Sequence, residues 1–168
     1  MPDKMLILSG LIDTIPPSGH PDPRGLLDRK SADAYAATRG YVPVELDVSD
    51  HFAGLKSRQV LAALTKFRLD KDISAIYGFS GGAYNLPHVI RRLTSEEKKR
   101  IRLVVAIGAP TLDKPSVSGT WELAFVGNSP KGHMDGPRYA LTQWLEKHPH
   151  PVLSAGPIKL GTPTLSQN

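Results

Sequence analysis

The chain has 168 residues, 40% of them hydrophobic, and a net charge of +5, the balance of a globular protein of one-domain size. It has no cysteine, which excludes disulfides, cysteine-ligated zinc and a thiol nucleophile and suits a reducing compartment. No run approaches the ~18 apolar residues of a membrane span.

The N-terminal MLILSGLI is short and has no small-residue cleavage pattern after it, so it reads as a first strand rather than a signal peptide. A cytoplasmic protein is the expectation. Basic residues are densest in RRLTSEEKKRIR, Arg91–Arg102, but Glu96 and Glu97 interrupt them. With no interleaved aromatic residues and no zinc-finger spacing, that run predicts a solvated helix end and no nucleic-acid partner.

In chain order, Lys4–Gly10 is a short apolar run stopped by glycine, a buried-strand signal. Thr14–Gly25 contains four prolines and predicts an irregular, stiff loop. Leu26–Gly40 has helical spacing, with Gly40 as its C-terminal cap. Tyr41–Ser49 alternates as a strand does, and Pro43 places it toward an edge. Leu55–Asp70 predicts an amphipathic helix with Leu55, Val60, Leu61, Leu64 and Phe67 on one face.

Ile73–Phe79 predicts a third strand, and Gly81–Leu93 a helix kinked or started late because of Pro87. Ile101–Pro110 and Trp121–Asn128 predict the fourth and fifth strands, joined by a stretch too short for a full helix. Gly136–His148 predicts a closing helix with Pro137 in its first turn. The expected organisation is one domain over 1–148 and an extended tail over 149–168. Alternating strands and helices imply a three-layer, doubly wound, mostly parallel sheet of about five strands covered on both faces. Ligands bind such sheets at the carboxyl ends of the strands.

One of those ends carries the sharpest signal. Gly78-Phe79-Ser80-Gly81-Gly82 satisfies G-x-S-x-G, between a strand and a helix. A turn that tight strains its central residue and requires small neighbours two positions away on either side. It lifts the Ser80 hydroxyl to a helix N-terminus, where the Gly81 N–H could enter an oxyanion hole. The alternative is plain: serine is a good N-cap, and glycine-serine turns join many strands to helices.

A serine nucleophile needs a base. Of His20, His51, His88, His133, His148 and His150, His133 is the best placed, in the loop between the last strand and the last helix. His88 is expected to face away on the helix after the turn. Asp113, after the fourth strand, is the first choice for the acid that orients the base, with Asp135 second and a Ser-His pair without an acid left open. A second oxyanion donor is expected from Leu11 or Ile12, after Gly10. Ile12, Leu11, Phe79 and Tyr84 are candidates to line a substrate pocket, Tyr84 equally a core residue.

With these residues the chain resembles the α/β-hydrolase superfamily, above all its small lidless serine esterases and cutinase-like members. The resemblance spans roughly Lys4 to Lys147, with YGFSGG its motif-grade part. It implies hydrolysis of an ester, thioester or amide through an acyl-serine, with Ser80 as nucleophile, His133 as base and Asp113 as orienter. It implies a small-molecule or acyl substrate, no cofactor and no metal. The chain departs from the pattern in having Asn128 where an acid is usual, and in lacking a long cap insertion. Two other classes stay open: an inactive hydrolase fold used for interaction, and a module that holds an anion at the Ser80–Gly82 helix start.

Overall fold

The computed structural model describes residues 3–10, 23–46, 57–109 and 113–126, together with 140, 141, 143, 146 and 147. They form a five-stranded, all-parallel sheet in the order β2-β1-β3-β4-β5, with β1 Lys4–Leu8, β2 Val42–Glu45, β3 Ile73–Phe79, β4 Leu103–Ala109 and β5 Thr120–Val126. Helices α1 Pro23–Thr38, α2 Arg58–Leu69, α3 Gly81–Arg92 and the short α4 Ser95–Lys99 lie between the strands. This is the three-layer α/β architecture that the alternation of elements implies.

Strand periodicity divides the core into two layers. Leu6, Leu8, Ile76, Val104 and Ala106 face a cluster built with Val60, Leu64 and Phe67 of α2 and Leu86, Val89 and Ile90 of α3. Met5, Ile7, Tyr77, Val105 and Ile107 face the other way, against Ala32, Tyr35 and Ala36 of α1 and against Ala140 and Leu141. Residues 140, 141, 143, 146 and 147 are helical, at the position of the expected closing helix. β2, with Pro43, is an edge strand, as the proline requires.

Gly40 ends α1 in a left-handed conformation, φ 86°, with its N–H on Ala37 O and the Tyr41 N–H on Ala36 O. That pair of bonds is the Schellman arrangement.

Three expectations are corrected. Pro23 opens α1 instead of belonging to an irregular loop, because a proline at the first helical position gives up only an N–H that has no intrahelical partner. Leu61 is exposed, since it sits about 130° round the helix from the centre of the buried stripe Gln59, Val60, Ala63, Leu64 and Phe67. α3 begins directly at Gly81 and runs through Pro87, whose ring is buried. An apolar face of Leu86, Pro87, Val89 and Ile90 outweighs the roughly 3 kcal/mol that an interior proline costs. The basic run provides the expected solvated helix end, with Arg91 and Arg92 in the last turn of α3, and Thr94 then starts α4 with a capping box to Glu97.

Residues 113–119, the described part of the link from β4 to β5, contain no helix, as expected. The ten residues 110–119 suffice because extended chain reaches about 33 Å and a seven-residue strand spans about 23 Å. Val117 packs on the α2–α3 side and the Trp121 indole N–H donates to Pro115 O at 2.9 Å, which fixes the crossing to that face. Among the described residues no helix is long and apolar enough to cross a membrane. The expected tail, 149–168, lies outside them.

Candidate active site

The strand order reverses direction between β1 and β3, and in sheets of this order the crevice at that reversal is the expected ligand position. Ser80 ends β3 there. Its N–H donates to Ile107 O at 3.0 Å, continuing the ladder to β4, while its carbonyl accepts from Tyr84 N–H at 3.0 Å, the first bond of α3. One residue therefore closes the strand and opens the helix.

Such a turn forces the backbone out of its usual regions. Ser80 has φ 56° and ψ −113°, and it is the one non-glycine residue with positive φ among the described residues. A conformation of this kind costs of order 1–3 kcal/mol. The flanking glycines are required sterically. A Cβ on Gly78 would lie 2.7 Å from Gly82 C and O, and one on Gly82 would lie 1.9 Å from Leu8 O. Gly10 completes the group from β1: a Cβ there would be 3.5 Å from Ser80 Cβ, ordinary contact, so the end of β1 lies beside the serine.

Two other helix starts show what a capping residue looks like in this protein. Ser57 has φ −63° and ψ 125° and accepts from Val60 N–H; Thr94 has φ −70° and ψ 165° and accepts from Glu97 N–H. Ser80 has neither property: its backbone is left-handed and its side chain makes no capping bond. The N–H groups of Gly81, Gly82 and Ala83 precede the first helical bond and lack intrahelical acceptors, so the positive end of the helix dipole lies at the serine.

The remaining predicted residues are distributed unevenly. Tyr84 is half-buried one turn into α3, its ring 5.3 Å from that of His88 and tilted by 56°. Phe79 is 1% exposed and packs in the α1-side core, supporting the turn from beneath. Asp113 lies beside the second half of α3. Arg91 donates to both its oxygens, at 2.6 and 2.7 Å, and this pairing, with a smaller contribution from His88, holds its carboxyl below the usual carboxylate range. Leu11, Ile12, His133 and Asp135 lie outside the described residues, as do Asn128 and every histidine except His88. No group of three His, Asp or Glu side chains that could hold a metal occurs among the described residues.

The sequence reading missed a buried polar chain behind the turn. Gln59 Nε2 donates to Ser9 O at 2.9 Å, and Asn85 Nδ2 donates to Gln59 Oε1 at 2.8 Å. Both amide side chains are fully buried. The available signal was weak: Gln59 and Asn85 each fall in the apolar stripe of their helix, where a polar residue needs an internal partner.

No protein-family model matches the chain, nor does any curated protein.

Proposed function

We propose that this chain is a serine hydrolase of the α/β-hydrolase type that cleaves an ester or thioester through an acyl-serine on Ser80. One observation carries the reading: Ser80 holds a strained left-handed backbone at the switch point while its side chain does not cap the helix. Strain at a strand–helix junction is otherwise an unexplained loss of stability. A capping serine would need no such strain, as Ser57 illustrates.

In this reading Ser80 Oγ attacks the carbonyl carbon and gives its proton to His133. The carbonyl electron pair moves to oxygen, which the N–H groups of Gly81 and Leu11 stabilise. Collapse breaks the bond to the alcohol or thiol, which leaves with the proton from His133. Water then attacks the acyl-serine with His133 again as base, releasing the acid and restoring the hydroxyl. Asp113 orients His133 only by leaving Arg91, since both its oxygens are engaged there. That engagement is also the observation favouring the second reading, an inactive hydrolase fold used for interaction.

A fluorophosphonate probe, read by intact mass, tests the reading because it reacts only with an activated serine. We expect one label per wild-type chain and none on Ser80→Ala; a folded wild type that stays unlabelled overturns the reading. Asp113→Asn then decides the acid. Slowing by about 10⁴-fold, the scale of losing a triad carboxylate, places Asp113 in the site. An unchanged rate leaves it in its ion pair and passes the role to Asp135 or to a Ser80–His133 dyad, which Asp135→Asn separates.

A further inference from the structure

Resting on the hydrolase reading, we infer that Gln59 is a positioning residue, which fixes the terminal peptide of β1 against Ser80. The peptide joining Ser9 to Gly10 flanks the nucleophile on the β1 side, where a Cβ added to Gly10 would meet Ser80 Cβ at 3.5 Å. Its carbonyl is the Ser9 oxygen that Gln59 grips. A peptide unit is planar, so holding that oxygen fixes the Gly10 N–H and the Gly10 Cα from which the chain continues. The backbone expected to supply the second oxyanion donor starts from this plane.

The amide orientations form a chain with one direction. A carbonyl can only accept, so Gln59 must present its NH₂ to Ser9; its oxygen then faces Asn85, which must present its own NH₂. The chain ties together β1, α2 and α3. At the same place α3 is already seated on β1 backbone through Gly82. Those are the elements that carry the serine, its helix N-terminus and the neighbouring loop.

The chain gives the buried Ser9 carbonyl a partner, but it leaves Asn85 Oδ1 buried without one. A polar tie kept at such a cost, ending on the peptide beside the nucleophile, is explained by the precision a reacting site needs. Displacement of a donor by about 1 Å can lower a rate about 100-fold.

The test is Gln59→Met, an unbranched residue of similar length with no amide. Active sites are counted by fluorophosphonate titration, and turnover of p-nitrophenyl butyrate is expressed per titrated site. We expect kcat per site to fall about 30- to 100-fold with KM changed by less than about twofold, because the damage is to transition-state stabilisation. A purely structural role would lower the number of sites and leave the rate per site unchanged, and that result overturns the inference. Should Gln59→Met fail to fold cooperatively, Gln59→Met/Asn85→Leu removes the orphaned amide as well and is held to the same criterion. A labelled wild type with an unaffected variant removes this inference alone; an unlabelled wild type removes the hydrolase reading and this inference together.

Discussion

The two ends of the sheet are held together by different physics. At the amino edge the ties are charged side chains near water: Lys4 with Asp70, Arg102 with Asp3, Arg68 with Glu97. Arg100 lies 3.7 Å over the Phe67 ring and donates to the Phe67 and Ile73 carbonyls. At the carboxyl edge, Gly78 and Gly82 bring backbone against backbone around Ser80, and the Gln59–Asn85 amides sit fully buried behind them. Exposed ion pairs contribute little each and tolerate replacement. Close backbone approach tolerates nothing larger than hydrogen. Gly119 is the exception at the amino edge, where a Cβ would lie 2.0 Å from Arg102 O. A protein that is adjustable at one end and rigid at the other concentrates its constraint where the candidate chemistry is.

The contrast breaks most visibly at Gly82. Gly82→Ala places a methyl group 1.9 Å from Leu8 O, a distance only a backbone shift can relieve. The expected loss is about 4 kcal/mol or more, read as loss of a cooperative transition in urea. Gly10→Ala meets nothing nearer than 3.5 Å and should change stability by less than about 1 kcal/mol, while slowing fluorophosphonate labelling because the new methyl touches Ser80 Cβ. Equal destabilisation by the two alanines would show that closeness of backbone is not what sets this edge apart.

A subtler test separates strain from chemistry at Ser80. Ser80→Ala keeps a Cβ in the left-handed region and should leave stability within about 0.5 kcal/mol of wild type. Ser80→Gly relieves the conformation, which glycine adopts freely, and should raise stability by about 1 kcal/mol after the greater unfolded-state entropy of glycine is subtracted. Both lose labelling. Urea midpoints for the three proteins check the order, and a Ser80→Gly variant less stable than Ser80→Ala would remove the argument from strain.

How legible these two edges were in the sequence follows from the same physics. Periodicity and punctuation carried the framework: the alternation of elements, Gly40 as a cap, Pro43 on an edge and the helix-free stretch 113–119 before β5 all rest on local rules. Gly78-Phe79-Ser80-Gly81-Gly82 was readable because steric demand at i−2 and i+2 leaves a fixed mark. Leu61 and the start of α3 were misread because packing decides which side of a stripe is buried and whether a proline is carried through. Gln59 and Asn85 were missed because their partners are 50 and 26 residues away, and no local rule reports such a bond. The Arg91–Asp113 pair was invisible for the same reason, and it takes up the carboxylate that the sequence offers first to a base.

The smallest effect sharpens the amino-edge half of the comparison. Arg68 donates to both Glu97 oxygens, and with the Thr94 backbone N–H it holds the Glu97 carboxyl down at about 2, against an ordinary value of 4.5. A carboxyl whose folded pKa is depressed binds its proton more readily in the unfolded chain. Its stabilising contribution is therefore complete above about pH 4.5 and is lost as pH falls toward about 2. Arg68 is 44% exposed, so solvent screening limits its share to about 0.5 kcal/mol. Arg68→Ala should be less stable than wild type by that amount at pH 7, and less so in 1 M salt. The gap should narrow below pH 4.5 and nearly close by pH 2, because the capping bonds of Thr94 remain in both proteins. What survives at pH 2 is the bond from Arg68 to the Arg92 carbonyl, which carries no titrating partner. Paired urea titrations across that range measure the gap, and one that stays constant from pH 7 to 2 would show that Arg68 acts there by packing and not by charge.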